Sequence, residues 1–241
     1  MQKSFTQAEE EQSQKPAEAE AQMTKQENAQ SPAKPGAPQG ISGDVGAEDL
    51  RTPYLSLVGK TGQLADEFQP GSFVYNKETV VSDGSKPLDI TVLKAHKYWI
   101  EDVPYEEDIQ PKTFDHLEEA TAQGFSKEYG AESRVMPCLR SVCMIPVPEE
   151  SDAMFSFEGT HYALCLWMLQ KTAYTSAAKP VLTAALKGHL RDGIHLAPWE
   201  LTSTKKSNGK NTWFAPVVKK KPKHSDNLRS FIEEEVLLGF E

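Results

Sequence analysis

The stretch APWELTSTKKSNGKNTWFAPVVKKK, residues 197–221, reads as a β-hairpin: two strand-like runs flank Asn208-Gly209, the strongest short-range hairpin signal. A two-residue turn would pair Ser207 with Lys210 and set Thr204 opposite Trp213. Because strand faces alternate, Trp199, Leu201, Phe214, Pro216 and Val218 then share one side, and Thr202, Thr204, Lys206, Asn211, Trp213 and Ala215 share the other. The first face is apolar and expected in a core, Phe214 included. The second is polar and basic, with one large aromatic. Residues 207–224 carry five lysines and no acid, although the whole chain has a net charge of −9.

That combination suits a single-stranded nucleic acid: bases stack on an exposed ring while lysines neutralise phosphates. Trp213 covering a neighbouring loop or an oligomer interface is the competing reading. A three-residue loop would exchange the two faces. Other Lys-aromatic groupings recur at Lys60, at Tyr75, Asn76 and Lys77, at Lys94, Lys97, Tyr98 and Trp99, and at Lys171, Tyr174 and Lys179.

Outward from the hairpin, the pattern is β-rich. GSFVYNKETVVSDG is a strand, a polar connection and a second strand, and KPLDITVLKAHKYWIED is one long strand rich in β-branched and aromatic residues. MPCLRSVCMIPVP and AMFSFEGTHYALCLWMLQ follow as strands, the latter divided at Glu158-Gly159. A short helix is expected near FDHLEEATAQG. KTAYTSAAKPVLTAALKGHL has the clearest helical spacing, with Pro180 as kink or first-turn residue. In SDNLRSFIEEEVLLGFE, Ser225 or Asp226 caps a helix whose apolar face is Leu228, Phe231, Ile232 and Val236. Many short strands with inserted helices imply a mainly β domain over 47–224, an oligonucleotide-binding (OB) barrel being one solution. Residues 1–46, polar and Pro-punctuated, read as a disordered arm, and 225–241 as an acidic amphipathic helix or tail.

Several chemistries fail on spacing. LVGKTG (57–62) lacks the first glycine of a phosphate loop, Tyr54 standing in its place. The acids Glu101, Asp102, Glu106, Glu107 and Asp108 lie in one Pro-broken stretch, unlike the separated carboxylates of a two-metal site. The six histidines, His189 and His195 among them, show no zinc spacing with any cysteine. Cys165 and His161 are too far apart along a strand to act as a nucleophile pair. No catalytic group, metal or cofactor emerges, so the chain reads as a non-enzyme. Cys138, Cys143 and Cys165 lie in apolar runs and read as buried reduced thiols. With neither a signal-like start nor an apolar run of about 20 residues, the expected location is the cytoplasm, the host's if the protein is viral.

PYLSLVGKTGQLADE, PGSFVYNKE and ELTSTKKSNGKNTWFAPVVK together resemble a group of bacteriophage and prophage proteins from DNA replication and recombination regions. These are regarded as OB-fold, single-stranded DNA-binding-like proteins, and the resemblance runs over roughly residues 47–222. It implies a non-sequence-specific, oligomeric single-stranded DNA binder. Its matching positions are Tyr54, Lys60, Tyr75, Lys77, Lys206, Asn208, Lys210, Trp213 and Phe214, to which the hairpin face adds Thr204 and Asn211. The C-terminus is similar in character to the acidic, Phe-bearing tails of bacterial single-stranded DNA-binding proteins. Phe231, Glu234, Leu237 and Phe240 are then the expected contacts for replication or recombination partners, although this tail is leucine-rich and ends in Glu241. A virion or assembly protein whose hairpin aromatics form an oligomer interface is the alternative.

Overall fold

One long strand organises the molecule. In the computed structural model, which describes residues 53–104, 109–151, 153–188 and 190–240, strand β4 (Leu88–Glu101) pairs on one side with β9 (Trp199–Ser207) through Leu88–Ile90. It then pairs with β6 (Val135–Val147) from Thr91 to Glu101. β6 pairs with β8 (Thr160–Leu169), β8 with β7 (Phe155–Phe157), and β9 with β10 (Thr212–Lys220). The antiparallel order is β10-β9-β4-β6-β8-β7, with the short β5 (Thr113–Phe114) on β4. β1 (Leu55–Leu57), β2 (Phe73–Tyr75) and β3 (Thr79–Ser82) make a second, three-stranded sheet. A parallel bridge between Tyr54 and Leu166 joins it to β8.

The fold is therefore mainly β, but the expected closed barrel does not form. The hydrogen-bonded path of the large sheet ends at β10 and β7. β10 cannot readily accept another strand: Pro216 has no N–H to donate, and its carbonyl already accepts from the Ser176 hydroxyl at 2.6 Å.

Apolar residues on one face of the large sheet, including Ile90, Val92, Leu139, Cys143, Ile145, Cys165 and Leu201, are buried together with Leu55, Phe73 and Tyr75 of the small sheet. A helical segment covers them, running as α3 (Lys171–Ala173), a π turn (Tyr174–Ala178) and α4 (Lys179–Leu186). The π turn ends two residues before Pro180, whose ring denies the helix one N–H donor and which stands in the first turn of α4. All three cysteines are free and buried. Burial pushes the Cys165 thiol up to about 12 and holds that of Cys143 well above its ordinary value, which keeps both neutral.

On the opposite face, Leu93, Met144 and Leu164 pack beneath Ile232 and Val236 of the C-terminal segment. That segment is α5 (Asp226–Phe231) followed by a π turn (Ile232–Val236) and a 3-10 turn (Leu237–Phe240). Of the two candidate caps, Ser225 is the one used, its hydroxyl accepting from Leu228 N–H. α1 (Gln63–Glu67) and α2 (Leu117–Ala122) are short surface helices. Among the described residues no helix is long and apolar enough to cross a membrane. The polar arm 1–46, Glu106, Glu107, Asp108, His189 and the Phe240 side chain lie outside what the structure describes.

The two sheets are clasped where three chain segments meet. Ser203 of β9 donates its N–H to the Gly84 carbonyl at 3.0 Å and its hydroxyl to the Gly71 carbonyl at 2.6 Å. Gly84 is buried at φ +82, and a Cβ there would collide with the Gly71 carbonyl and the Ser203 hydroxyl. Gly84→Ala is therefore expected to destabilise by about 2–4 kcal/mol, from backbone strain plus the clash. A urea melt with an unchanged midpoint would contradict this role.

His224 ties the segment before α5 to the sheet, hydrogen-bonding Thr91 at 3.0 Å. Desolvation, reinforced by His195 and opposed by Asp89, pulls its pKa from 6.5 down to about 4. Because the folded value is depressed, the ring's contribution is complete above pH 6.5 and is lost as pH falls towards 4, by roughly 2 kcal/mol. His224→Gln keeps a polar partner for Thr91 and should flatten the thermal midpoint across that window. An unaltered pH profile would refute the linkage.

Candidate nucleic-acid interface

The hairpin closes two residues later than a two-residue turn would allow. Asn208 Oδ1 accepts from the N–H groups of Lys210 (3.2 Å) and Asn211 (2.7 Å), and Asn208 N–H donates to the Asn211 carbonyl. This four-residue loop makes Thr212 the partner of Ser207, so Trp213 lies opposite Lys206 and Thr204 opposite Ala215. Shifting by two keeps the alternation, so the expected face sets survive. The Trp213-Lys206 pairing places a cation directly across from the indole.

Phe214 is not in the core. It is half-buried, with Cε1 and Cδ1 so close to Gly71 that a Cβ there would lie at 2.8 and 2.9 Å from them. Lys205, rather than a core residue, faces it across the hairpin. Trp213 is likewise half-buried, and its Nε1 is shielded from solvent without a hydrogen-bond partner.

Both rings line an open cleft of 640 Å³ between β1, the β8–α3 connection and β10. Tyr54, 46% exposed, lines the same cleft with Leu64 and Met168. Two of the sequence-predicted aromatics, distant along the chain, are thus brought to one concavity. Lys206, Lys210, Thr204 and Asn211 are exposed along and around the hairpin tip. Lys77 is exposed in the turn after β2, where Asn76 N–H donates to the Tyr54 carbonyl, so it flanks Tyr54. Lys60 is exposed between Gly59 and Gly62 and does not line the cleft.

Tyr75 departs from expectation. At 5% exposure it packs in the core, because β2 is apolar on both faces, Phe73 and Val74 being wholly buried beside it. The partner-binding set divides as well. Phe231 is engaged by its own sheet, edge-on to Phe155 at 6.2 Å and against Phe157 at 4.9 Å. Leu237 packs on the cluster beneath the same segment, and Glu234 is exposed. Residues 226–236 are a docked helical segment rather than a free tail.

Sequence reading missed how Lys171 is held. It lines the cleft at φ +53, a left-handed conformation uncommon outside glycine, and its ammonium lies 3.1 Å from Asp102. Arg134 holds the other Asp102 oxygen at 2.7 Å. Asp102 is thus a half-buried anchor shared by two cations rather than part of a solvated acidic loop. Among the described residues no cluster of acids, histidines and cysteines could hold a metal ion.

Asp102→Asn removes the anchor of both cations and should cost about 1–2 kcal/mol, a fall in Tm of roughly 2–8 °C for a domain of this size. An unaltered thermal midpoint would show that the pairs are ornamental. Compared with protein-family models, curated proteins and solved structures, the chain matches none.

Proposed function

We propose that this protein binds single-stranded DNA without sequence preference, by base stacking and phosphate neutralisation, in phage replication or recombination. The observation that carries the reading is the cleft in which Tyr54 and Trp213 line one open concavity beside exposed hairpin lysines. Stacking on a ring contributes about 1–3 kcal/mol per base and tolerates any base. An OB-type role does not require full closure, since what such a surface needs is a curved strand face with aromatics and cations upon it. The negative net charge is compatible with this, because binding depends on where the cations sit.

An anisotropy titration with labelled oligothymidylate tests the proposal. Binding is expected at low salt and should weaken steeply as salt rises. Trp213→Ala and Tyr54→Ala should each reduce affinity about 5- to 150-fold, the equivalent of one lost stack. No binding by the wild type at low salt would end the reading. If Trp213→Ala instead lowers the mass measured by light scattering and leaves DNA affinity unchanged, the hairpin serves assembly.

A further inference from the structure

Beyond the cleft, the registers of three strands align a second set of side chains. Met168 of β8 lies opposite Arg140 of β6, which lies opposite His96 of β4. In the adjacent row, Leu166 lies opposite Val142 and Val142 opposite Lys94, while Tyr54 bridges to Leu166. Residues directly opposite one another project from the same side of a sheet. Both rows therefore share a face, the one that the C-terminal segment covers farther along at Met144 and Leu164. Lys94, His96, Arg140, Met168 and Tyr54 remain exposed.

A β-bulge decides that composition. Pairing runs Val92 to Cys143 and then Lys94 to Val142, leaving Leu93 as the extra residue. Leu93 turns into the cluster under Ile232, and the strand resumes with Lys94 and His96 on Arg140's side. Were the ladder to run on without the bulge, with Leu93 opposite Val142, Ala95 would face Arg140 and both Lys94 and His96 would turn to the other side.

The resulting groove, 410 Å³, is lined by Lys94, Ala95, His96, Arg140 and Val142, with no carboxylate among them. Asp115 stands at its border, 3.1 Å from His96 Nε2. Arg140 has no ion pair among the described residues. His96 also stacks on Tyr98, with centroids 6.0 Å apart and planes at 13°. Tyr54 and Met168 belong both to these rows and to the wall of the cleft, so cleft and groove adjoin across β8.

We infer that the bound single strand continues from the Trp213-Tyr54 cleft across the open sheet face, with backbone phosphates against Arg140 and Lys94. The inference rests on the single-stranded DNA reading above and extends it to a second subsite. Neighbouring strands lie about 4.8 Å apart, so the route from β1 to β4 adds roughly 14 Å of contact that a short oligonucleotide held in the cleft does not reach.

The test compares a short and a long oligothymidylate on the full chain, wild type against Lys94→Gln/Arg140→Gln. Both sites are exposed, and an unchanged thermal midpoint verifies the fold. Each phosphate contact contributes about 0.7 to the salt slope for single strands, so the double variant should lose about 1.4 from the slope for the long oligonucleotide. Its binding of the short one should be unchanged. A control pair, Lys127→Gln/Lys187→Gln, removes the same charge elsewhere and should leave the slope intact. If the long oligonucleotide's slope does not respond, or the control lowers it equally, the subsite is overturned. The cleft reading then survives provided Trp213→Ala still weakens binding. Absence of wild-type binding to either oligonucleotide overturns the parent proposal instead.

Discussion

The divided pairing of β4 is the constraint on which the structure depends. Its first three residues hold the β9–β10 hairpin and the remainder holds β6, so one strand joins the hairpin to the rest of the sheet. Ile90 and Val92 anchor the strand in the main core, and Leu93 anchors it under the C-terminal segment on the other side. A three-residue ladder is a narrow attachment for a hairpin. Ser203 compensates by fastening β9 to both glycine-bearing loops of the small sheet. The cleft depends on this arrangement, since its walls belong to the small sheet and to β10.

Much of the fold is legible in the sequence because its signals are local. Glu158 and Gly159 both adopt positive φ, as a tight hairpin turn requires. The long β4, the divided β7–β8 pair, the helix through Pro180 and the Ser225 cap all follow from propensity and punctuation. The exact hairpin register is not legible in that way. The side chain of Asn208 captures two backbone N–H groups beyond the turn, and that competition between side chain and strand ladder is not visible in the Asn-Gly pair itself.

The candidate site is less legible, for identifiable reasons. Tyr75 carries a polar tip, yet its strand is buried on both faces, which alternation alone does not reveal. Arg140 lies in VMPCLRSVCMIPV, where nearly every position is apolar, so nothing local indicates which way it points. Its neighbours His96 and Met168 are partners only through long-range register. Trp213 is neither fully outside nor in the core, because the cleft exists only once β1 and the β8–α3 connection have been brought to it.

The extra residue at Leu93 has an implication for how such a surface can change. Substitutions at Lys94 or His96 alter its charge one group at a time. A slip of the ladder that put Leu93 in place of Lys94 opposite Val142 would instead rotate the whole distal half of the strand, exchanging its lysine-histidine side for an alanine-lysine side in one event. Variation in this face is therefore expected to be governed by whether the bulge at Leu93 is kept, with single substitutions a secondary matter.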